Sequence, residues 1–339
     1  MATNMVRLAV YSAGHFWVDF SCALLMFSQL FHRPEWSLCV LLYNFCAFAL
    51  QMPLGLLADR ISRNSLVAGT GCILVLAGWL ASPAALLSTV LAGVGNACFH
   101  IGGGIDVLND STRRSAALGV FVSPGAFGIY FGTLFGKTVD IFWLAPVMGL
   151  LIFGVLLPGL DRNLRGSLNS GNAPCMLDLS RKAAWVLVCC FVVVILRSCL
   201  GLLFQFPWKT GGWSLVLICA VVFGKAAGGF LGDWLGMRRG AMVSLGMSGL
   251  LFLVSGNPLA GTAAVFLFNM TMPMTLWEAA KRLPGGKGFA FGTLTFALFL
   301  GFFPAYLGWE LPSGSVTYAL GAVLSLVLLW MGLKWGEIP

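Results

Sequence analysis

His15 and Asp19 lie four residues apart inside a long apolar run, and their types and spacing suit them to hold and pass a proton. Residues four apart share one face of a helix. Asp19 is about eleven residues into the run, or about 17 Å along a helix. An ionisable residue that deep in a membrane helix costs about 2.5–3.5 kcal/mol, so it is a functional candidate by default. We expect Asp19 to be a proton-coupling carboxylate assisted by His15; the alternative is a static buried partner for a cation.

Two cations, Arg197 and Lys225, also fall near the middle of apolar runs. With Asp19 they leave two positive charges against one carboxylate, and an unpaired buried charge is costly. An organic anion would supply the missing charge, because arginine offers a fixed fork for a carboxylate or phosphonate and lysine a point charge. In the alternative, Lys225 extends toward water, Arg197 pairs with Asp19, and the cavity accepts neutral or hydrophobic compounds.

The elements that must position these residues are membrane-spanning helices. The chain has 339 residues, of which 59% are hydrophobic and 9% charged. A soluble domain carries about 25% charged residues, so this composition excludes an ordinary soluble enzyme. A spanning helix needs about 20 apolar residues. Twelve such runs are present, at approximately 8–30, 36–58, 65–81, 84–106, 115–136, 142–160, 184–206, 213–231, 241–256, 258–277, 288–308 and 314–333.

Lysine and arginine are distributed unevenly over the connections between these runs. With the N-terminus in the cytoplasm, fifteen of the 20 fall on the cytoplasmic side and three on the outer side. Such a bias is typical of membrane proteins. It predicts an integral protein of a bacterial cytoplasmic membrane with both termini inside. It also accounts for the net charge of +8 without a nucleic-acid partner.

A polar stretch near the middle divides the chain into two halves of six runs. We expect an N-terminal six-helix bundle at 1–160, a cytoplasmic linker at 161–183 and a C-terminal six-helix bundle at 184–339. One short motif follows both the second and the eighth run, at an offset of 174 residues. Its residues are Gly55, Asp59, Arg60 and Arg63 in the first copy and Gly229, Asp233, Arg238 and Arg239 in the second.

The two copies resemble the loop motif of the major facilitator superfamily. Residues 93–136, with Phe99-His100 in a glycine-rich fourth run, look like the fosmidomycin-resistance type of exporter, and the region of Pro124 is similar to a drug–proton antiporter motif. The resemblance implies an all-α polytopic membrane protein of two pseudo-symmetric six-helix bundles. It also implies that the first, fourth, seventh and tenth spans line a central cavity. His100 and Asn269 therefore join Arg197 and Lys225 as substrate-binding candidates.

The duplicated motif has a chemistry of its own. Its glycine allows close helix approach, its carboxylate can accept hydrogen bonds from a neighbouring helix N-terminus, and its arginines can pair across the two halves. We interpret both copies as conformational latches; the alternative is that they are solvated loop charges. Pro124 and Pro273 are candidate hinges, although the glycines at 128, 132 and 136 favour simple close packing near the first of them.

The sequence therefore predicts a secondary active transporter that moves a small organic anion or amphipathic compound by alternating access. Proton-coupled export is favoured; uptake by symport and a non-transporting lipid scramblase or sensor are the alternatives. No serine–histidine–aspartate set, metal-ligand spacing, Walker loop or nucleotide fingerprint is visible, so we expect no enzyme, cofactor or metal. The expected partners are the solute, protons and lipids, and we expect a monomer.

Overall fold

A computed structural model describes residues 2–111, 114–138, 144–162 and 179–337. All regular structure in these residues is helical, and it forms twelve segments. The first six are α1 (Ala2–Leu25, continued by a π-helical turn at Met26–Leu30), α2 (Trp36–Asn44, Phe45–Ala49 and Gln51–Ile61), α3 (Asn64–Leu80), α4 (Ala85–Asp110), α5 (Ala116–Val122 and Pro124–Thr138) and α6 (Leu144–Arg162). The last six are α7 (Arg181–Leu203), α8 (Trp213–Leu235), α9 (Met237–Leu253), α10 (Pro258–Asn269 and Thr271–Arg282), α11 (Lys287–Tyr306) and α12 (Ser315–Glu337).

The twelve helical segments correspond one to one with the twelve predicted runs. Within the described part of the chain, nine are long and apolar enough to cross a membrane; α3 and α6 are shorter apolar helices, and α9 has 17 residues. Several helices extend beyond their apolar run, as α4 does to Asp110. A helix can continue past the hydrocarbon because its backbone hydrogen bonds are made within it. Such an extension lies outside the hydrocarbon, and its side chains can therefore be polar.

By their internal contacts the helices form two compact units. The first contains α1 to α4, the second piece of α5, α6, and a short segment at Gly285–Gly292. The second contains Ser111–Ser123, α7 to α10, and the chain from Thr293 onward. The predicted halves at 1–160 and 184–339 remain a prediction, and most of the predicted linker, at 163–178, lies outside the described residues.

Both candidate hinge prolines stand at interruptions of a helix. Pro124 is the first residue of the second piece of α5. This position suits proline because the amide hydrogen it lacks would have no partner in the helix. Pro273 is the third residue of the second piece of α10, one turn past the break at Met270. The helix is therefore interrupted three residues before Pro273, and the role of both prolines as hinges in transport stays a prediction.

Three glycines place the second piece of α5 directly against α1. A Cβ atom added at Gly128 would lie 2.3 Å from the carbonyl oxygen of Phe16, and one at Gly132 would lie 2.5 Å from that of Phe20. One at Gly136 would lie 2.9 Å from the Cβ of Phe27. Real side chains would not fit at these distances, so the stripe is a close-packing surface. This contact holds the second piece of α5 against the face of α1 that carries His15 and Asp19.

Candidate functional site

His15 and Asp19 lie on one face of α1, as their spacing predicts, and they meet His100 of α4. The Nε2 atoms of the two histidines are 2.8 Å apart. His15 Nε2 lies 3.3 Å from Asp19 Oδ2, and His100 Nε2 lies 3.7 Å from Asp19 Oδ1. In the sequence analysis, only the family resemblance assigned His100 to a cavity-lining span. In the structure, His100 lies beside Asp19 within the first unit.

Asn96, one helical turn before His100, is a site residue that the sequence analysis missed. Its side-chain Nδ2 donates to Asp19 Oδ1 at 2.7 Å. Its carbonyl oxygen lies 2.9 Å from His100 Nδ1. A carbonyl can only accept, so Nδ1 of His100 carries the hydrogen and Nε2 of the neutral ring offers a lone pair. The four-residue spacing of Asn96 and His100 was a signal for this pairing, because both then face α1 together.

The four polar residues are buried among apolar helices. His15 and Asp19 are 5% and 6% exposed, and Asn96 is 2% exposed. The second piece of α5 closes over them at Gly125, where an added Cβ would lie 2.3 Å from His15 Nε2 and 2.4 Å from Asp19 Oδ2. Only a glycine fits at this position. The backbone of α5 thus lies against the two ionisable groups.

This arrangement can carry an exchangeable hydrogen. His15 Nε2–H can donate to the lone pair of His100 Nε2 or turn toward Asp19 Oδ2, both within reach of one nitrogen. Among the described residues of its own unit, the partners of Asp19 are two imidazoles and an amide, all of which can be neutral. A carboxylate in such surroundings can be charged or protonated without leaving a fixed buried charge unpaired.

Arg197 of α7 is buried in the second unit. It is 8% exposed, and its Nη1 makes no hydrogen bond to any described residue. An unpaired buried donor of this kind costs about 1–3 kcal/mol or more when charged. The role of Arg197 in binding an anion stays a prediction.

The other two candidates in the second unit differ from Arg197. Lys225 of α8 is half-buried. Asn269 is buried at the end of the first piece of α10, where its Nδ2 donates to the Val265 carbonyl at 2.8 Å. That bond satisfies one of the two amide hydrogens within the same helix. Asn269 thus stands at the helix break, and its role in substrate binding stays a prediction.

Asp59 makes the helix contact that its motif predicts. Its Oδ1 accepts from the backbone N–H of Gly288 at 2.8 Å, and its Oδ2 accepts from that of Phe289 at 2.9 Å. Both amides belong to the first turn of α11 and lack partners within the helix. An added Cβ at Gly55 would lie 2.1 Å from the Gly288 carbonyl oxygen, so the motif glycine permits this approach.

Asp233 repeats the arrangement in the second unit. Its Oδ1 accepts from the backbone N–H of Ser115 at 2.6 Å, and its Oδ2 accepts from that of Ala116 at 3.1 Å. A Cβ at Gly229 would lie 2.7 Å from the Ser115 carbonyl oxygen. The predicted capping contacts are present in both copies, while the latch function stays a prediction. The motif arginines lie at the surface: Arg60, Arg63 and Arg239 are exposed and Arg238 is half-buried.

A second polar cluster in the first unit was also missed. Asp106 Oδ2 accepts from Tyr11 Oη at 2.5 Å and from Arg7 Nη2 at 2.7 Å. Its Oδ1 accepts from Asn64 Nδ2 at 2.9 Å. The sequence analysis counted Arg7 as a cytoplasmic charge and left Asp106 at the edge of its run. The four-residue spacing of Arg7 and Tyr11 was the available signal. Because its ion pair is complete, the cluster joins α1, α3 and α4 structurally.

Comparisons with known proteins rest on structure alone, since no family model and no curated protein matches the sequence. A structure of the E. coli fucose:proton symporter FucP covers 97% of this chain and 99% of its own, with a TM-score of 0.65 and 15% identity. FucP in its outward conformation gives a TM-score of 0.67 at 14% identity, covering 99% of this chain and 100% of its own. The chain has the major facilitator fold.

A bacterial homologue of the iron transporter ferroportin, in an outward-facing state, gives a TM-score of 0.61 at 12% identity, covering 98% of this chain and 100% of its own. At identities this low, the similarity establishes only the fold, and it does so over nearly the whole chain. The predicted fold class is therefore confirmed. The buried polar groups must carry any statement about function.

Proposed function

We propose that this protein is a proton-coupled secondary active transporter that carries a small organic anion or amphipathic compound by alternating access. The observation that carries the proposal is the buried cluster of His15, Asp19, Asn96 and His100. Ionisable groups are costly inside membrane helices, and they persist there when an ion or substrate pathway uses them. The solved structures with this fold are transporters rather than enzymes, which supports the expected absence of catalysis.

Proton coupling follows from what the cluster contains. Asp19 and the two imidazoles can pass one hydrogen among them over distances of 2.8–3.7 Å. Protonation of Asp19 removes its charge, which lowers the cost of closing an apolar pathway around it. Access from one side of the membrane would load the proton, and access from the other side would release it.

The anionic substrate class is supported by Arg197. Its buried Nη1 has no hydrogen-bond partner among the described residues, and a carboxylate or phosphonate would provide one. We propose Arg197 as the principal anion-binding residue. Lys225, His100 and Asn269 are proposed as further groups that contact the solute.

Export is the direction that we propose, on the resemblance of residues 93–136 to fosmidomycin-resistance exporters and of the Pro124 region to drug–proton antiporters. Uptake by symport is the second candidate, because the similar structure FucP is described as a fucose:proton symporter. Asp59 and Asp233 would hold the caps on α11 and α5 in one access state and release them in the other. We place the protein in a bacterial cytoplasmic membrane, as a monomer with both termini inside.

The test is solute movement in sealed vesicles containing the purified protein. An imposed pH gradient should drive uptake or efflux of at least one compound from a panel of labelled organic anions, and a protonophore should abolish the movement. Binding of an anion without flux would indicate a sensor, and lipid flip-flop without solute flux would indicate a scramblase. Either result would contradict the proposal.

A further inference from the structure

Three side chains of α1 and α4 bring their ligating atoms close enough together to hold one metal ion. We propose that His15, Asp19 and His100 form a binding site for a divalent first-row transition-metal ion. Their donor atoms lie within 4.8 Å of one another, and their side chains are 6%, 8% and 12% exposed for His15, Asp19 and His100. Among the described residues this is the only group of three or more histidine, cysteine or acidic side chains with such spacing.

The distances match those between neighbouring ligands of one ion. With metal–ligand bonds of about 2.1 Å, adjacent donors are about 3.0 Å apart in octahedral and about 3.4 Å apart in tetrahedral coordination. The separations here are 2.8 Å between the two Nε2 atoms and 3.3 and 3.7 Å from them to the Asp19 oxygens. With both imidazoles and an Asp19 oxygen as ligands, an ion would need small side-chain shifts, and it would replace the hydrogen that joins the two imidazoles.

The donor set selects the class of ion. Calcium and magnesium take oxygen ligands, whereas two imidazole nitrogens with one carboxylate suit zinc, cobalt, nickel or ferrous iron. Three protein ligands leave at least one coordination position open for water or a small anion. The site thus resembles an exchangeable metal site rather than a closed structural one.

Asn96 supplies the outer contacts that metal ligands usually have. A metal-bound histidine donates its other ring N–H to a carbonyl or carboxylate, which fixes the tautomer and the ring orientation. His100 Nδ1 lies 2.9 Å from the Asn96 carbonyl oxygen, so that Nε2, which faces His15 and Asp19, is the ligating atom. The amide of Asn96 donates to Asp19 Oδ1 at 2.7 Å and orients the carboxylate. One residue therefore positions two of the three ligands.

The side of the site that faces α5 is closed by backbone, whereas the side that His100 occupies is partly exposed. Gly125 faces His15 Nε2 and Asp19 Oδ2 at distances where even a methyl group would collide with them. The His100 side chain keeps 12% of its surface exposed, so the site is not fully sealed. The proposal concerns the same side chains as proton coupling, but it requires neither a gradient nor a transported solute.

The test is a titration of the metal-free, full-length protein in detergent with Co²⁺ at one fixed pH, followed by visible absorption. We expect saturation at one equivalent, and displacement of the cobalt by Zn²⁺. His15→Ala and His100→Ala should each bind Co²⁺ at least tenfold more weakly, and His100→Gln, which keeps most of the side-chain volume, should do the same. His32→Ala removes the exposed third histidine of the chain and should bind as the wild type does.

Asn96→Leu tests the positioning role separately. We expect binding about tenfold to hundredfold weaker, with a changed cobalt spectrum, because loss of an outer-shell contact disturbs ligand orientation. Elution as a single peak and an unchanged unfolding temperature confirm the fold of each variant. A wild type that fails to saturate at one equivalent, or folded His15 and His100 variants that bind like the wild type, would overturn the metal site. Because the assay contains no gradient, such a failure leaves the transport proposal standing.

Discussion

At the scale of the residue, the decisive feature is that Asp19 has partners whose charge can change. A lysine or arginine beside it would hold a permanent ion pair, as Arg7 does for Asp106 at 2.7 Å. The imidazoles of His15 and His100 can each be neutral or positively charged. Among the buried carboxylates of the described residues, Asp106 and Glu278 each have an arginine partner, whereas Asp19 has exchangeable partners that suit it to repeated loading and release.

Arg197 gives a prediction about substrate class. Arg197→Ala should weaken binding of a transported organic anion at least tenfold more than binding of a neutral analogue of the same size. The reason is that the guanidinium pairs with the negative charge, which the neutral analogue lacks. Binding of both compounds to the purified protein, measured by calorimetry, gives the comparison. The anion affinity of Arg197→Lys should lie between those of the wild type and Arg197→Ala, since lysine keeps the positive charge but lacks the forked guanidinium. Equal losses for the anion and its neutral analogue would contradict the anion site.

The residues found only in the structure show what the sequence could not supply. His15 and Asp19 were predicted to meet because both lie on one helix, where spacing alone fixes their neighbours. Asn96 and Asp106 make their contacts across helices, and the rotation of α4 against α1 is set by packing that a single sequence does not reveal. The metal-ligand geometry was missed for the same reason, because His100 is 81 residues from Asp19 in the chain.

At the scale of the element, the two motif aspartates stabilise the first turns of α11 and α5. Each offers two carboxylate oxygens to backbone amides that have no partner inside their helix. The macrodipole adds a favourable interaction with the negative charge. The sequence predicted both contacts because glycine, aspartate and a helix end recurred at the same offset, and the structure shows which helix each aspartate caps.

Loss of one cap should lower stability measurably. Asp59→Ala removes both hydrogen bonds to α11, and a helix cap is worth about 0.5–2 kcal/mol, so the unfolding temperature in detergent should fall. Asp59→Asn keeps one acceptor oxygen, so its unfolding temperature should fall by about half as much. Arg60→Gln, at an exposed neighbouring position, is the control and should unfold like the wild type. An Asp59→Ala protein with an unchanged unfolding temperature would show that the cap contributes nothing.

The glycine stripe of α5 gives a second prediction at this scale. Gly128→Ala places a methyl group against the Phe16 carbonyl oxygen of α1, and overpacking of this kind costs about 1–3 kcal/mol. Thermal unfolding in detergent should therefore occur at a lower temperature. Gly201→Ala in α7 is the matched control, since nothing lies within 4 Å of its added Cβ. It should be neutral or slightly stabilising, because alanine favours the helix. Equal unfolding temperatures for both variants would argue against tight packing of α5 on α1.

At the scale of the whole molecule, composition and the twelve apolar runs predicted a helical membrane protein, and the resemblance to the major facilitator superfamily implied its fold class. The solved transporters FucP and the ferroportin homologue share this fold over nearly their full length at 12–15% identity. Helix ends were less predictable, because α2, α4 and α10 continue past their apolar runs into polar residues. The break at Met270 followed from Pro273, whereas the two π-helical turns in α1 and α2 had no sequence signal that we can name.

The number of membrane spans and the side on which each terminus lies can be tested directly. The Lys and Arg bias predicts that both termini lie in the cytoplasm, which requires an even number of spans. A fluorescent protein that matures only in the cytoplasm should therefore be bright when fused at either end. A reporter active only outside the membrane should work after Lys209, in the connection between α7 and α8. An inactive C-terminal fusion with an active N-terminal one would indicate an odd number of spans.

The most direct test of the central claim is to compare Asp19→Asn with the wild type in two vesicle assays. Each vesicle preparation is supplied with an anion that the wild type transports. Asp19→Asn should exchange labelled for unlabelled anion across the membrane at a rate similar to the wild type, yet lose accumulation driven by a pH gradient. Glu310→Gln, which removes an exposed carboxylate, should keep both activities. Accumulation by Asp19→Asn equal to that of the wild type would contradict the claim that the driving proton binds at Asp19.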